Sequence, residues 1–211
     1  MLFKYPKTFH FPWSPGTSSA DRILESTQQF QGKEVVLTEK LDGENTSMYR
    51  DHFHARSLDS RNHPSRNLVK GLWGGIAHLI PQGWRICGEN MFAKHSIFYD
   101  RLTAYFYVFA VYNEHNFCLS WPDTVQMASD LGLEVVPVEF VGLWSKEKFS
   151  RLNPLTEASA FGDTKEGYVI RTVEGFGYND FQNHVGKWVR PHHVQTDQLW
   201  MNQPVVPNKL R

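Results

Sequence analysis

An Asp-Gly pair at 42–43 separates two segments of different character, and that junction constrains the fold more than any other stretch of the chain. Ahead of it runs Val35-Val36-Leu37-Thr38-Glu39-Lys40, which opens with the apolar, β-branched residues of a buried strand. Behind it, Glu44-Asn45-Thr46-Ser47-Met48-Tyr49 alternates in the manner of a strand with one wet face. Asp-Gly is a strong signal for a tight turn, so the spacing predicts a β-hairpin with Lys40 fixed near its tip. A lysine on a strand end is a candidate nucleophile if burial or neighbouring cations deprive its amine of a proton. The same residues also fit a solvated lysine beside a turn.

The 211 residues suffice for one sizeable core, and no internal repeat or low-complexity stretch points to an array. Lys plus Arg equals Asp plus Glu at 22 each, so net charge gives no argument for nucleic acid and leaves local basic patches open. Cys87 and Cys118 lie in apolar runs, which reads as buried thiols and not as a disulfide scaffold. The start, Met1-Leu2-Phe3-Lys4-Tyr5-Pro6, has no signal-peptide apolar region, and no stretch reaches bilayer-spanning length. A soluble, cytoplasmic protein without a membrane partner is expected. No Cys/His set has metal-finger spacing, so no structural zinc is expected.

The N-terminal twenty residues, rich in Pro and aromatics, read as an irregular segment packed on the body. Asp21 reads as the N-cap of a helix carrying Ile23, Leu24, Thr27 and Phe30 and stopping at Gly32. A short strand follows over 53–56, a polar loop with Arg61, His63 and Arg66 over 58–67, and a helix over 64–80. Strands are expected over 84–92, 103–113, 134–140, 165–173 and 184–190, with helices over 122–131 and 146–152. This order predicts an α+β domain of mainly antiparallel sheets flanked by helices.

Four further stretches set a charged residue at a strand edge: Ala55-Arg56-Ser57, Cys87-Gly88-Glu89-Asn90, Glu166-Gly167-Tyr168-Val169-Ile170-Arg171 and Gly186-Lys187-Trp188-Val189-Arg190. Together with Glu39-Lys40-Leu41-Asp42-Gly43 and Val108-Phe109-Ala110, this ordered set resembles the covalent nucleotidyltransferases. The likeness is greatest to ATP-dependent RNA ligases, especially the branch that seals nicks in duplex RNA. It covers about residues 33–190. The resemblance implies a single nucleotidyltransferase domain over 1–190 with an ATP-grasp-like ligase adenylation fold, 1–32 packed on it, and a short tail over 191–211 without a separate C-terminal domain.

By the same likeness Lys40 would form a lysyl-AMP phosphoramidate, Glu39 would meet the adenine amine, and Asn45 would act at the sealing step. Arg56 would hold the nucleotide and the RNA 5'-phosphate, Glu89 the ribose, and Phe109 would stack on adenine. Lys187 would touch the α-phosphate, and Asp42 and Glu166 would serve Mg²⁺ or Mn²⁺. The implied partner is RNA with 3'-OH and 5'-phosphate ends, met by the Arg61–Arg66 loop and Lys94-His95-Ser96, with end-healing enzymes upstream. A DNA ligase, a GTP-using capping enzyme and a silent RNA-end binder remain as alternatives. The chain departs from the family pattern at Val189, where relatives often carry a second lysine, and at Ala110, where many carry an acid.

Overall fold

The computed structural model describes residues 1–19, 21–60, 62–191 and 204–211. Two sheets form the body, and most of their pairings are antiparallel, as an α+β domain requires. Along the chain the strands are β1 (Phe9–His10), β2 (Glu34–Lys40), β3 (Glu44–Met48), β4 (Phe53–Ala55), β5 (Arg85–Asn90) and β6 (Phe106–Tyr112). They continue as β7 (Phe117–Cys118), β8 (Glu134–Val135), β9 (Val138–Leu143), β10 (Gly167–Thr172), β11 (Phe176–Gly177) and β12 (Val185–Val189). The helices are α1 (Asn67–Ile76), α2 (Trp121–Asp130) and α3 (Lys146–Ser150).

The first sheet has the order β1-β12-β10-β2-β9, and the second runs β11-β7-β6-β5-β3-β4 with β8 added beside β6. Alternation along the strands divides the side chains into layers. Val35 and Leu37 face outward onto Phe11, Phe30, Trp144 and Trp188, so the N-terminal segment and α3 cover that side. Val36 faces inward with Leu41, Tyr107, Trp121 and Phe161, which fills the space between the sheets. Met48, Ile86, Phe106 and Val108 turn the other way, beneath Val69 of α1 and Ala128 of α2.

The hairpin expected at Asp42-Gly43 does not form. Strand β2 pairs with β9 and β10, whereas β3 pairs with β4 and β5. The turn therefore carries the chain from one sheet to the other, with Leu41 buried at the seam. Gly43 is needed there because a Cβ would lie 2.5 Å from the Asn90 carbonyl.

Two other expectations need correction. The helix predicted from Asp21 is absent: the His10 amide donates to the Arg22 carbonyl and the Leu24 amide to the His10 carbonyl in strand fashion, leaving only a 3-10 turn at Gln28–Phe30. Asp21 instead closes a turn by accepting from the backbone and hydroxyl of Ser18. The strand expected over 134–140 breaks at Pro137 into β8 and β9, which belong to different sheets. Helix α2 ends as its sequence requires, with Gly132 at φ +67°.

Residues 192–203 of the expected tail lie outside the described residues. Residues 204–211 return as a strap along 91–102, bonded from the Lys94 amide to the Val206 carbonyl and from the Arg211 amide to the Leu102 carbonyl. Asn208, 1% exposed, accepts from the Tyr99 amide and donates to the Met91 carbonyl. Among the described residues no helix is long and apolar enough to cross a membrane.

Candidate active site

A cavity of about 340 Å³ opens between the sheets. Thr38 and Lys40 enter it from β2, Val169 and Arg171 from β10, and Val185 and Lys187 from β12. The second sheet supplies Asn45, Glu89 and Phe109, and Arg56 follows β4. Six residues that the sequence scattered from position 40 to position 187 thus share one space: Lys40, Asn45, Arg56, Glu89, Phe109 and Lys187.

Lys40 ends its strand opposite Gly167, and this register brings its ammonium to 2.6 Å from a Glu166 oxygen. Burial works against the ammonium, yet Glu166, Glu89 and Asp42 outweigh it and hold the lysine above its ordinary range. Lys40 is therefore held as a cation, whereas a nucleophilic amine would have to be neutral. Lys187 behaves oppositely. Burial, reinforced by the repulsion of Lys40 and Arg56, brings it down to about 8 against the pull of Asp21 and Glu166.

The carboxylates carry the converse strain. Burial raises Glu166 to about 7 and Glu89 to about 8; Lys40 opposes both shifts, while the other acids of the group add to them. Glu89 also accepts from the Gly43 amide at 3.1 Å. Asp42 and Glu166 stand behind Lys40 and do not line the cavity. One Asp42 oxygen accepts from the Ser96 and Ile97 amides at 2.7 and 2.8 Å, and the Asp42 amide donates to the Tyr99 hydroxyl. No group of three or more His, Cys, Asp or Glu among the described residues could ligate a metal directly. Three mutually repelling carboxylates around one lysine still suit a hydrated Mg²⁺ or Mn²⁺, which meets few protein groups. The cations Lys40, Arg56 and Lys187, with a buried Asn45 oxygen that has no partner, suit a nucleotide's phosphates and hydroxyls.

Glu39 borders the cavity, but strand alternation places its side chain on the face of Val35 and Leu37, away from Lys40. Its carboxylate accepts from the Ser159 hydroxyl and the Ala160 amide. Phe109 is half buried, edge-on to Tyr5 at 4.9 Å, with Trp121, Val136 and Val169 forming the rest of an apolar end. Arg66, expected on RNA, is buried and holds Glu44 through both its Nε and its terminal nitrogen. Arg61 lies outside the described residues.

Sequence reasoning missed one wall. Tyr5, Pro6, Lys7, Thr8 and Asp21 all line the cavity, because β1 lies parallel to β12 with His10 opposite Lys187. The dense aromatics and prolines marked this segment as packed but not where it packs. Arg171 also lines the cavity. It is 5% exposed and donates to the Leu119 and Thr172 carbonyls.

The RNA ligase family model matches residues 33–189, which spans Lys40 to Lys187. The chain belongs to the RNA ligase family. Solved structures with the same fold include a Naegleria gruberi RNA ligase with PPi, at 21% identity and a TM-score of 0.54 over 79% of this chain and 52% of that one. An archaeal ATP-dependent RNA ligase matches at 14% identity and a TM-score of 0.57, over 90% of this chain and 48% of that one. A variant of the Naegleria gruberi enzyme with ATP and Mn aligns at 18% identity and a TM-score of 0.57, over 89% and 59% respectively. This RNA ligase family member therefore spans about half to three-fifths of the length of these relatives. No curated protein sequence matches it.

Proposed function

We propose that this chain is an ATP-dependent RNA ligase whose nucleophile is Lys40. The observation that carries the reading is the shared cavity: Lys40 at its floor against Glu166, with Lys187 and Arg56 beside it. In the first step Lys40 passes a proton to the Glu166 carboxylate beside it, the freed amine attacks the α-phosphorus of ATP, a P–N bond forms, and the bond to pyrophosphate breaks. An oxygen of the RNA 5'-phosphate then displaces Lys40, which regains its proton. A 3'-hydroxyl finally attacks the 5'-phosphorus, and AMP leaves.

Lys187 and Arg56 neutralise phosphoryl charge where it develops, in a site whose apolar walls strengthen each interaction. A divalent cation, when bound, would add charge neutralisation at the phosphates. Glu166 and Asp42 would orient its water shell, and Glu89 would hold the ribose. Phe109, with Tyr5 edge-on against it, would stack on the base, and Asn45, with its unpartnered oxygen, would position the end to be sealed. The reading extends to a cytoplasmic enzyme acting after end-healing steps that leave 3'-OH and 5'-phosphate termini. It treats 1–190 as the adenylation domain and the strap as part of its surface.

The test is incubation with α-labelled ATP or GTP and Mg²⁺ or Mn²⁺, followed by intact mass of wild type and Lys40→Ala. An AMP adduct present in wild type and missing in the variant is expected. A folded, AMP-free wild type that forms no adduct with either nucleotide would overturn the proposal and favour a silent RNA-end binder.

A further inference from the structure

The strap over 204–211 raises a question that the cavity does not answer: what its charged residues face. Its backbone is committed inward, with the Lys94 amide on the Val206 carbonyl, the Lys209 amide on the Tyr99 carbonyl and the Arg211 amide on the Leu102 carbonyl. Asn208 pins the middle, accepting from the Tyr99 amide while its own backbone carbonyl accepts from the Tyr105 hydroxyl. The side chains of Lys209 and Arg211 remain exposed. Lys209 reaches over the ring of Phe98, itself 39% exposed, at 5.9 Å. Lys94, also exposed, is bonded to the strap through its amide on the Val206 carbonyl.

None of Lys94, Lys209 and Arg211 forms an ion pair with a described residue. The nearby acids Asp100 and Asp163 are instead bonded to Arg101. The net result is a ridge of three unneutralised cations and one exposed ring in a chain of zero formal charge. Its base, Ser96 and Ile97, is the same backbone that grips Asp42, two residues from Lys40. Cations that track phosphates beside a stackable ring are what a nucleic-acid strand needs from a protein surface.

We propose that Lys94, Lys209 and Arg211, with Phe98, form an RNA-backbone-binding ridge that delivers the strand to be joined to Asp42 and Lys40. This inference deepens the ligase reading and rests on it. The ridge is built from two segments about a hundred residues apart, and only the strap unites them.

The test uses the full chain carrying Lys209→Ala and Arg211→Ala together, both surface substitutions, and a second protein with Lys94→Ala. Binding is measured against salt for a 5'-phosphorylated nicked RNA duplex and for a single strand of the same sequence. Each lost phosphate contact should lower the salt slope by about 0.7–0.9, so the double variant should lose about 1.5 and bind about tenfold more weakly near 0.15 M salt. Lys146→Ala, on α3 at the other side of the first sheet, should leave the slope unchanged. Lys40–AMP formation should proceed at the wild-type rate in all of them. Unchanged slopes on both RNAs in the ridge variants would sink the ridge while leaving the ligase reading intact. A wild type that forms no AMP adduct would sink the ligase reading and leave the RNA measurement to stand alone.

Discussion

The Lys40 ammonium and the Glu166 carboxylate meet at 2.6 Å because Lys40 pairs in register with Gly167, the residue after the acid. The arrangement favours the charged form of Lys40. It also makes Glu166 the nearest base, and its own elevation to about 7 by burial means it can accept a proton near neutrality.

Replacing Lys40 by arginine preserves the cation and removes the nucleophile, since a guanidinium does not deprotonate in proteins. Lys40→Arg should form no AMP adduct by intact mass, yet should bind ATP within about tenfold of wild type by calorimetry, an ion pair with Glu166 being retained.

Lys187 should set the alkaline limb of the reaction. With its proton held only up to about pH 8, kcat/KM for ATP, which reports the free enzyme, should decline above that pH. Lys187→Arg should remove the decline, because the guanidinium stays charged. Lys187→Met should lower the rate of adduct formation by about 10²-fold or more at every pH.

Glu89 should make stability depend on pH. Its folded value of about 8 exceeds the 4.5 of an ordinary glutamate, so the folded state binds the extra proton between those values. This contribution is fully present below pH about 4.5 and is lost as pH rises through 8. Glu89→Gln should flatten that decline and raise the melting temperature at pH 8.5 by a few degrees, at about 2–4 °C per kcal/mol for a chain of this size. Thermal melts of nucleotide-free protein in chelator provide the measurement.

Arg66 should matter for the fold. Its substitution by alanine leaves Glu44 buried without its partner, at a cost of about 3–5 kcal/mol. Replacing both, as Arg66→Met with Glu44→Gln, should recover part of that loss in a denaturant titration, which separates the pair's burial from its chemistry.

What the sequence made legible was local. Strand runs such as 35–40 and 106–112, and the stop of α2 at Gly132, follow from composition and backbone chemistry and needed no partner to be read. Partnership was the part that stayed hidden. Asp42-Gly43 announces a turn but not that its two strands enter different sheets. The spacing of Ile23, Leu24, Thr27 and Phe30 fits a helix, yet backbone bonding to His10 pulls the segment straight. Arg66 looked like a free cation because Glu44 stands 22 positions away. The site residues were found through their ordered likeness to a family, whereas Tyr5, Lys7 and Asp21 lay beyond that likeness and became visible only through the pairing of β1 with β12.

That parallel pairing also sets an order on how the cavity can close during folding. Phe9 and His10 lie beside Gly186 and Lys187, and the Ser14 hydroxyl and the Val189 amide bond across 175 positions. The segment carrying β1 must wait for β12 before it can dock, and a closure over so many residues is slow. Until β12 is in place the cavity lacks both its Lys187 side and its N-terminal wall of Tyr5, Pro6 and Lys7, so the two halves of the pocket arrive together or not at all.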